Sequence, residues 1–242
     1  MLNPTKRDLV LDPAAGSGGF LLNAMDHVRE YAERNYEGKE AWQHWHDFAM
    51  RNIYGIEIND QIARVCKMNM IIHDDGHINI IRTDSLEDFK DINYIHKDFK
   101  RDHFDLVLTN PPFGAVIKET EKYYLDKYVL GKGKKNQKTE ILFIERVIDF
   151  IKLGTGRIAI VLPDGILTNS SLQYVRDFIM ERCQILAIIS LPQFAFSHYG
   201  AEVKSSLLFL KRKAQNEELG NYPILWRSLN ILGTMQLVEK IN

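Results

Sequence analysis

Four short segments of the chain place polar side chains directly after an apolar run. These segments are DPAAGSGGF (12–20), YGIEIND (54–60), RTDSL (82–86) and TNPPFG (109–114). In the first three, the run ends at an acidic residue: Asp12, Glu57 and Asp84. Carboxylates accept hydrogen bonds from hydroxyl and amino groups, attract cations and repel phosphates. The three acids therefore predict a binding site for a small molecule that carries positive charge and lacks phosphate, which leaves the fourth segment for chemistry.

The first segment is a glycine-rich loop that leads into a helix-like stretch. Gly16, Gly18 and Gly19, with Ser17 between them, permit a tight turn and let a ligand approach the backbone. No Lys-Ser or Lys-Thr pair follows, which excludes a P-loop, and a dinucleotide fingerprint has no Asp at the strand end. S-adenosylmethionine fits better, since it carries a sulfonium and an ammonium group and no phosphate. The alternative is a plain glycine turn in which Asp12 caps the next helix.

The second and third acidic residues suit the remaining parts of the same molecule. Glu57 can accept both ribose hydroxyls, as an acidic residue does in dinucleotide sites. Asp84 can accept a hydrogen bond from the exocyclic amine of adenine, with Ser85 and Leu86 lining the pocket. The alternatives are a solvated glutamate at position 57 and an ordinary turn or cap at position 84. The position of Glu57 at a strand end disfavours a solvated side chain, and Asn59 already fits the cap of the following helix.

The fourth segment ends a strand with an amide, two prolines and an aromatic ring. Neither Pro111 nor Pro112 has an N–H to give to a sheet, so the strand stops and the turn is rigid. The amide oxygen of Asn110 and the carbonyl of Pro111 can both accept from an amino group conjugated with a ring. This would hold the nitrogen lone pair toward a methyl sulfonium. Phe113 can stack on an extruded base. The alternative is a simple turn.

The order of apolar and amphipathic stretches predicts the elements that position these segments. Seven short apolar runs are typical of strands: 8–12, 52–58, 78–84, 104–110, 156–163, 185–192 and 205–212. Five longer periodic stretches are typical of helices: 18–34, 40–50, 61–73, 138–153 and 170–182. Apolar strands joined by helices indicate parallel strands covered on both faces. We predict an α/β fold with a doubly wound, mostly parallel seven-stranded sheet that binds ligands beyond the carboxyl ends of its strands.

Composition limits the class and location of the protein. The chain has 242 residues, is 45% hydrophobic and has a net charge of −1, which argues against a general polyanion binder. One basic stretch, GKGKKNQK (131–138), follows the fourth segment; it is either a mobile loop that contacts phosphate or an ordinary solvated loop. The sequence has no apolar run of membrane-spanning length and no signal core at its start, so a cytoplasmic protein is predicted.

Cysteine and histidine spacing predicts no metal site. Cys66 and Cys183 lie far apart in helix-like stretches, and we expect both to be buried, reduced thiols. The densest cluster of potential ligands, HDDGH (73–77), falls in a predicted turn between a helix and a strand. No metal is therefore expected to take part in the chemistry.

Together, the four segments resemble the S-adenosylmethionine-dependent amino-group methyltransferases of DNA. More narrowly, they resemble the methylation (M) subunit of type I restriction–modification systems, which methylates N6 of adenine. The Ser-Gly-Gly-Phe ending of the first segment is typical of this branch, and Glu57 follows Asp12 by 45 positions, which leaves room for an extra aromatic helix. VLPDGILTNSS (161–171) and ISLPQFAFSHYGAEVKSSLLFLKRK (189–213) resemble its late strands and closing hairpin. The resemblance covers residues 8–224.

The resemblance implies a Rossmann-like fold and a role for each motif residue. The cofactor loop would be Asp12, Gly16, Ser17, Gly18 and Gly19, the ribose acceptor Glu57, the adenine site Asp84 with Ser85, and the catalytic motif Asn110, Pro111, Pro112 and Phe113. The implied reaction is methyl transfer from S-adenosylmethionine to adenine N6 in double-stranded DNA whose target base is flipped out. The implied partners are a specificity subunit, a second methylation subunit and a restriction subunit.

Both ends of the chain depart from the family pattern. Family members carry an N-terminal helical domain and a TPR-like motif that closes over the methionine end of the cofactor, and NPTKR (3–7) is too short to supply either. Residues 1–224 are thus predicted to be the catalytic domain without that helical domain, with weak cofactor binding and little activity alone. Residues 225–242 do not follow the family, although a one-base shift near Ile224 can restore a family-like continuation. We therefore predict a frameshifted tail without an evolved role.

Two other functions stay open on the sequence. Related enzymes with an Asn-Pro-Pro-Tyr motif methylate the N5 amide of protein glutamine; Phe113 in place of tyrosine, the helical insert and the late strands count against this function. The chain can also be a non-catalytic remnant of a broken methyltransferase gene. The departures at both ends favour that interpretation, and the intact motif residues oppose it.

Overall fold

The computed structural model describes residues 2–73, 77–193, 203–229 and 235–241. The chain divides into two units, Met1–Asn110 with Asp149–Lys152, and Pro111–Ile148 with Leu153–Asn242. The HDDGH cluster (73–77) and the predicted late segment 189–213 each lie partly outside the described residues.

The first unit contains a parallel four-stranded sheet with its connecting helices. In chain order its elements are β1 (Val10–Asp12), α1 (Gly19–Asn35), α2 (Gly38–Asn52), β2 (Ile53–Glu57), α3 (Asp60–Ile72), β3 (Ile80–Arg82), α4 (Phe89–Ile95) and β4 (Leu106–Thr109). The strands lie in the order β4-β1-β2-β3, and each neighbouring pair is parallel. The carboxyl ends of all four strands therefore share one edge of this sheet.

Burial explains why the apolar runs of this unit form strands. Leu11 and Leu106 are completely buried in neighbouring strands, as expected where both faces of a parallel strand are covered. The one acid in the fourth run, Asp105, also stabilises the sheet. Its carboxylate accepts the backbone N–H of Leu9 at 2.9 Å and pairs with the ammonium of Lys152 at 2.8 Å. A polar residue within an apolar run is thus satisfied by the backbone just before β1 and by a lysine that follows α6.

The second unit contains a mixed sheet and a separate hairpin. Its elements are β5 (Val116–Lys118), α5 (Lys122–Lys127), β6 (Asn136–Lys138), α6 (Thr139–Phe150), β7 (Arg157–Pro163), α7 (Asp164–Thr168), α8 (Gln173–Arg182), β8 (Cys183–Ser190), β9 (Ser205–Arg212), β10 (Ile224–Leu229) and β11 (Met235–Ile241). β9 pairs antiparallel with both β7 and β8, and β10 runs parallel to β8 and antiparallel to β11. β5 and β6 form a short antiparallel hairpin.

All seven predicted strands and all five predicted helices are present. The strands are β1 to β4 and β7 to β9, and the helices are α1, α2, α3, α6 and α8.

Both cysteines are free and buried as predicted, and burial raises the pKa of each thiol to about 12. The helical placement of Cys183 is wrong, because α8 ends at Arg182 and Cys183 begins β8. Across the described ranges, no helix has the length and apolar character needed to cross a bilayer.

Four strands were not predicted: β5 and β6 of the hairpin, and β10 and β11 in the segment predicted to be a frameshifted tail. In β10, Leu225–Ser228 pair with Ala187–Ser190 of β8, and β11 continues the pairing on the other side of β10. Backbone pairing of this kind depends little on side-chain identity. The frameshift therefore stays a prediction, which the nucleotide sequence of the gene around codon 224 tests directly.

Candidate active site

The glycine-rich segment forms a tight turn between β1 and α1 that two other elements hold in place. The N–H of Ala15 donates to the carbonyl of Ile56 in β2 at 2.9 Å, and the N–H of Gly18 donates back to the carbonyl of Ala15 at 2.8 Å. The side-chain amide of Asn69, in α3, donates to the carbonyl of Ser17 at 2.9 Å. The turn is thus fixed from β2 and from α3, which prepares its backbone for close approach of a ligand.

Gly18 is the residue of this turn at which a side chain would meet both backbone strain and close neighbours. Its φ of +91° lies in the left-handed region, and a Cβ there would lie 2.6 Å from Cε of Met70 and 3.0 Å from Sγ of Cys66. The end of Met70 can move, so the main cost is backbone strain. Gly19 begins α1 with an ordinary φ, and a Cβ at that position would meet no neighbouring atom within 4 Å.

We expect Gly18→Ala to lower the free energy of unfolding by about 1–3 kcal/mol. Gly19→Ala is the matched control, and we expect it to leave stability unchanged or raise it by up to about 1 kcal/mol, since alanine is a better helix former than glycine. Urea denaturation of the two variants measures the difference. Equal midpoints for the two variants would show that the left-handed turn does not depend on Gly18.

Asp12 is a buried carboxylate at the end of β1, with a strongly perturbed pKa. One of its oxygens, Oδ1, accepts the N–H of Ala14 at 3.0 Å and the hydroxyl of Thr109 at 2.8 Å. Burial raises the pKa of Asp12 to about 7, and the nearby charge of Glu57 adds to the increase, while these two hydrogen bonds oppose it. The residue that caps α1 is Gly18, so the alternative in which Asp12 caps that helix is wrong.

Glu57, at the end of β2, braces the glycine turn. Its Oε2 accepts the N–H of Gly16 at 3.0 Å and its Oε1 accepts the N–H of Asn59 at 2.8 Å. Asn59 caps α3 as predicted, since its side chain accepts the N–H groups of Gln61 and Ile62. Each carboxylate oxygen of Glu57 still has a second lone pair. A ribose could therefore bind there without breaking either bond.

Asp84 and Ser85 follow β3, where they form a turn. Oδ1 of Asp84 accepts the N–H of Leu86 at 2.8 Å, which is the ordinary turn considered as an alternative for this residue. Ser85 is buried, and its hydroxyl donates to the carbonyl of Pro13 in the glycine-rich segment. That bond gives Ser85 a role in holding the loop, and its predicted contact with adenine stays a prediction.

Three hydrogen bonds bring the ends of β2, β3 and β4 to the single loop that follows β1. Glu57 binds Gly16, Ser85 binds Pro13, and Thr109 binds Asp12. The predicted convergence of the strand-end motifs is thus present within the first unit. The arrangement offers carboxylates, exposed loop backbone and no lysine or arginine among these contacts, which suits a cationic ligand without phosphate.

Asn110 directly follows β4 and carries an orphaned acceptor. Its amide oxygen Oδ1 is buried and has no hydrogen-bond partner among the described residues. An unsatisfied buried acceptor of this kind costs about 1–3 kcal/mol, so such groups are uncommon unless they serve a function. A donor such as an aromatic amine would satisfy it. This is the role predicted for Asn110 from the sequence.

The chain beyond Asn110 is held by a buried carboxylate of α6 in the second unit. Glu140 is 1% exposed, and its Oε2 accepts the N–H of Gly114, the residue after Phe113, at 3.2 Å. The next residues are bound as well, since Thr139 donates both its N–H and its hydroxyl to the carbonyl of Ala115. The start of α6 therefore fixes the turn that follows the two prolines.

Thr109 and Glu140 are two site residues that sequence reasoning missed. Thr109 stands inside the quoted TNPPFG segment, but nothing in a sequence shows that its hydroxyl binds Asp12, 97 residues earlier. Glu140 follows Gly114 by 26 residues, and only the β5–β6 hairpin brings them together. The available signal was a single acid at the start of an apolar helix, which is ordinary at that position.

A separate cavity of about 520 Å³ surrounds the segment that precedes β1. Its lining includes Lys6, His27, Tyr31 and His44, and it includes none of the predicted site residues. It is therefore distinct from the candidate site. Within the described ranges, no group of three or more His, Cys, Asp or Glu side chains has the geometry to hold a metal ion.

Comparison with known proteins places this arrangement in context. A family model described as N-6 DNA Methylase matches residues 1–225. The methylase subunit of the type I restriction enzyme EcoEI from Escherichia coli is 28% identical over 224 residues, which cover 91% of this chain and 41% of that protein. The EcoKI methylase subunit from Escherichia coli strain K12 is 27% identical over 215 residues, covering 88% of this chain and 37% of that protein.

Solved structures show the same fold. A modification subunit of a putative type I restriction enzyme from Vibrio vulnificus YJ016 superposes with a TM-score of 0.72 and 25% identity over 95% of this chain and 44% of that one. A putative class I S-adenosylmethionine-dependent methyltransferase from Listeria monocytogenes gives a TM-score of 0.66 at 19% identity, over 94% of this chain and 60% of that one. The predicted α/β methyltransferase fold is confirmed. The chain spans about two fifths of the curated relatives that it matches.

Proposed function

We propose that this chain, which belongs to the N-6 DNA methylase family, binds S-adenosylmethionine at the candidate site and transfers its methyl group to N6 of adenine in double-stranded DNA. The observation that carries the proposal is the convergence of four strand ends on one loop, with a buried carboxylate at Asp12 and an orphaned acceptor at Asn110. The buried carboxylate of Asp12 suits a cationic cofactor, and the orphaned acceptor of Asn110 suits an amine substrate.

The chain's own residues fit the cofactor in the following way. The carboxylate of Asp12 would attract the ammonium and sulfonium charges, and the lone pairs left on Glu57 would accept the ribose hydroxyls. Asp84 would accept from the adenine amine through the lone pairs outside its turn. Bound there, the cofactor supplies an electrophilic methyl group on sulfur. The loop at Gly19 offers backbone without a side chain, which permits close approach.

The motif residues would position the target amine. Oδ1 of Asn110 and the carbonyl of Pro111 accept its two N–H groups, which turns the nitrogen lone pair toward the methyl carbon. A bond then forms between N6 and that carbon while the carbon–sulfur bond breaks, and the extra proton on N6 passes to solvent. No strong base is required beforehand, because methylation itself makes the amine acidic. Phe113 would stack on the flipped adenine.

Glu140 is proposed as a positioning residue for this motif. We expect Glu140→Ala to lower kcat about 10- to 100-fold, because a shift of about 1 Å in a positioning group costs this much. The Kd for S-adenosylmethionine should stay within about twofold. Glu140→Gln keeps an oxygen that can accept the Gly114 N–H, so it should restore most of kcat. Equal losses in both variants would show that the charge, and not the bond to Gly114, matters.

The type I relatives support a proposal about the partners of this chain. We propose that the chain acts as the modification subunit of such a system, with a specificity subunit that selects the DNA site, a second methylation subunit and, in the complete system, a restriction subunit. Co-expression with a type I specificity subunit, followed by native mass spectrometry, tests this assembly. A chain that stays free of that subunit would contradict the proposal.

Calorimetric titration with S-adenosylmethionine and S-adenosylhomocysteine is the first test of the proposed function. Binding by the wild type and its loss in Asp12→Ala would support the cofactor site. Methyl transfer to duplex DNA, measured with the specificity subunit added, would then be compared with transfer to a protein glutamine substrate. A folded chain that binds neither ligand would favour a non-catalytic remnant, and transfer to glutamine alone would favour the second enzyme function.

A further inference from the structure

The basic stretch GKGKKNQK, residues 131–138 and called the lysine loop below, concentrates positive charge in a nearly neutral chain. Lys132, Lys134 and Lys135 are exposed. Lys134 lies 4.2 Å from the ring centre of Tyr174. In the described part of the chain, none of these three lysines has a carboxylate within 4 Å. The whole chain carries a net charge of −1, so this loop is a local cationic surface.

Buried polar side chains fix the base of the lysine loop. Glu145, 7% exposed, uses both carboxylate oxygens to accept the N–H groups of Val129 and Leu130, at 2.9 Å each. Gln137, 6% exposed, donates to the carbonyl of Leu130 at 2.6 Å and to the hydroxyl of Tyr174 at 2.9 Å. Buried polar groups are costly unless every one is bonded. An ordinary solvated loop needs no such support.

The lysine loop is also connected directly to the catalytic motif. Its last three residues form β6, in which Lys138 pairs with Val116 and Asn136 pairs with Lys118 of β5. β5 begins two residues after Gly114, whose N–H is held by Glu140. Lys118 lies five positions after Phe113, so the backbone path between these two residues is at most about 17 Å. A DNA duplex carries about ten phosphate charges over that length of its axis.

We infer that the lysine loop binds the phosphate backbone of the DNA duplex beside the target adenine. This inference rests on the proposed function for the identity of the nucleic acid. The β5–β6 hairpin ties the lysine loop to the segment that follows Phe113, so that phosphates on the flank of the flipped base would meet ammonium groups while Asn110 and Phe113 meet the base. These contacts are independent of sequence and set the register of the duplex.

Salt-dependent DNA binding tests the inference. The variant is Lys132→Gln, Lys134→Gln and Lys135→Gln combined, and the probe is a fluorescent 30-base-pair duplex measured by anisotropy from 50 to 200 mM NaCl. We expect the slope of log K against log salt to shrink by about 0.9 for each phosphate that the variant no longer neutralises. Affinity at 100 mM NaCl should fall by about tenfold or more. A triple change to arginine should keep both values near those of the wild type.

A matched control removes the same charge elsewhere. Lys90, Lys97 and Lys100 are exposed lysines of the first unit, and the combined Lys→Gln change there leaves the lysine loop intact. An equal loss of slope in this control, or absence of DNA binding by the wild type, would overturn the inference. Titration of the wild type and the loop variant with S-adenosylmethionine separates the two proposals. Failure of cofactor binding in the wild type counts against the proposed function alone. An unchanged salt slope of DNA binding in the loop variant counts against the role of the lysine loop alone.

Discussion

Replacing Asn110 with alanine is expected to reduce methyl transfer by about 10²–10³-fold, the usual cost of removing one precisely placed hydrogen-bonding group from a catalytic site. Affinity for S-adenosylmethionine should stay within about twofold, because the contacts proposed for the cofactor come from Asp12, Glu57 and Asp84. The reason for the loss is that Oδ1 of Asn110, which has no partner among the described residues, would no longer hold the amine.

The same substitution should leave the free protein as stable as the wild type or more so. Removing a buried acceptor that lacks a partner relieves a cost of about 1–3 kcal/mol. Lost activity combined with unchanged or increased Tm is the pattern expected of a residue kept for function at the expense of stability. If Asn110 instead supported the fold, its replacement by alanine would lower the Tm.

Single-turnover transfer of a tritiated methyl group to duplex DNA, with the specificity subunit present, measures the activity. Asn110→Asp is the conservative control, since it keeps an acceptor oxygen in place, and we expect an intermediate rate. Retention of more than about a tenth of wild-type activity by the alanine variant would exclude the proposed role. Parallel loss of cofactor binding and of stability would show that Asn110 supports the fold instead.

The strands were predictable because each is a short apolar run, but their ends were not. The run 78–84 was predicted as one strand, whereas β3 covers only Ile80–Arg82. Asn79, in a 3₁₀ turn, is buried and its side-chain amide donates to the carbonyl of Ile53. A buried polar residue that stops a strand cannot be distinguished from one that continues it until its partner is known. The short helices α4, α5 and α7 were missed for lack of a full periodic pattern.

The position of the site was predictable from topology, and its internal bonds were not. Parallel strands bring their carboxyl ends together, so Asp12, Glu57 and Asp84 could be grouped from sequence alone. The bonds that give them their properties join residues far apart in the chain. The hydroxyl of Ser85 donates to the carbonyl of Pro13, and the hydroxyl of Thr109 donates to Asp12. A perturbed pKa depends on burial and neighbours, which a spacing pattern does not contain.

Binding of S-adenosylmethionine is expected to strengthen about eightfold between pH 6.0 and pH 7.5, because Asp12 must be ionised to attract the cationic ligand. Its pKa of about 7 means that the free protein holds this carboxyl mostly protonated at pH 6.0. About one molecule in eleven is ionised at pH 6.0 and about three in four at pH 7.5, which gives the ratio. Burial is the main cause of the raised pKa of Asp12; the donors from Ala14 and Thr109 lower this pKa, and the charge of Glu57 raises it.

Two variants make this pH dependence specific to Asp12. Asp12→Asn should bind about 30-fold more weakly or worse at pH 7.5, and its affinity should be flat across the range. Thr109→Val removes a hydrogen bond that stabilises the carboxylate, so the midpoint of the profile should move to higher pH, while Thr109→Ser should leave it in place. A wild-type profile as flat as that of Asp12→Asn would exclude Asp12 as the acceptor of the ligand's charge.

The stability of the ligand-free protein should fall as the pH rises, whereas the affinity for S-adenosylmethionine should increase. This opposite pH dependence gives a second, independent check. The folded pKa of Asp12 lies above its ordinary value of 3.8, so protonation favours the folded state. The contribution to stability is fully present below pH 3.8 and is lost as the pH rises through about 7. Asp12→Asn should therefore have a higher Tm than the wild type at pH 8, with a smaller difference at pH 5.5. An ionised carboxylate is thus destabilising in the free protein and required for binding, which is the arrangement expected if a cationic ligand completes the site.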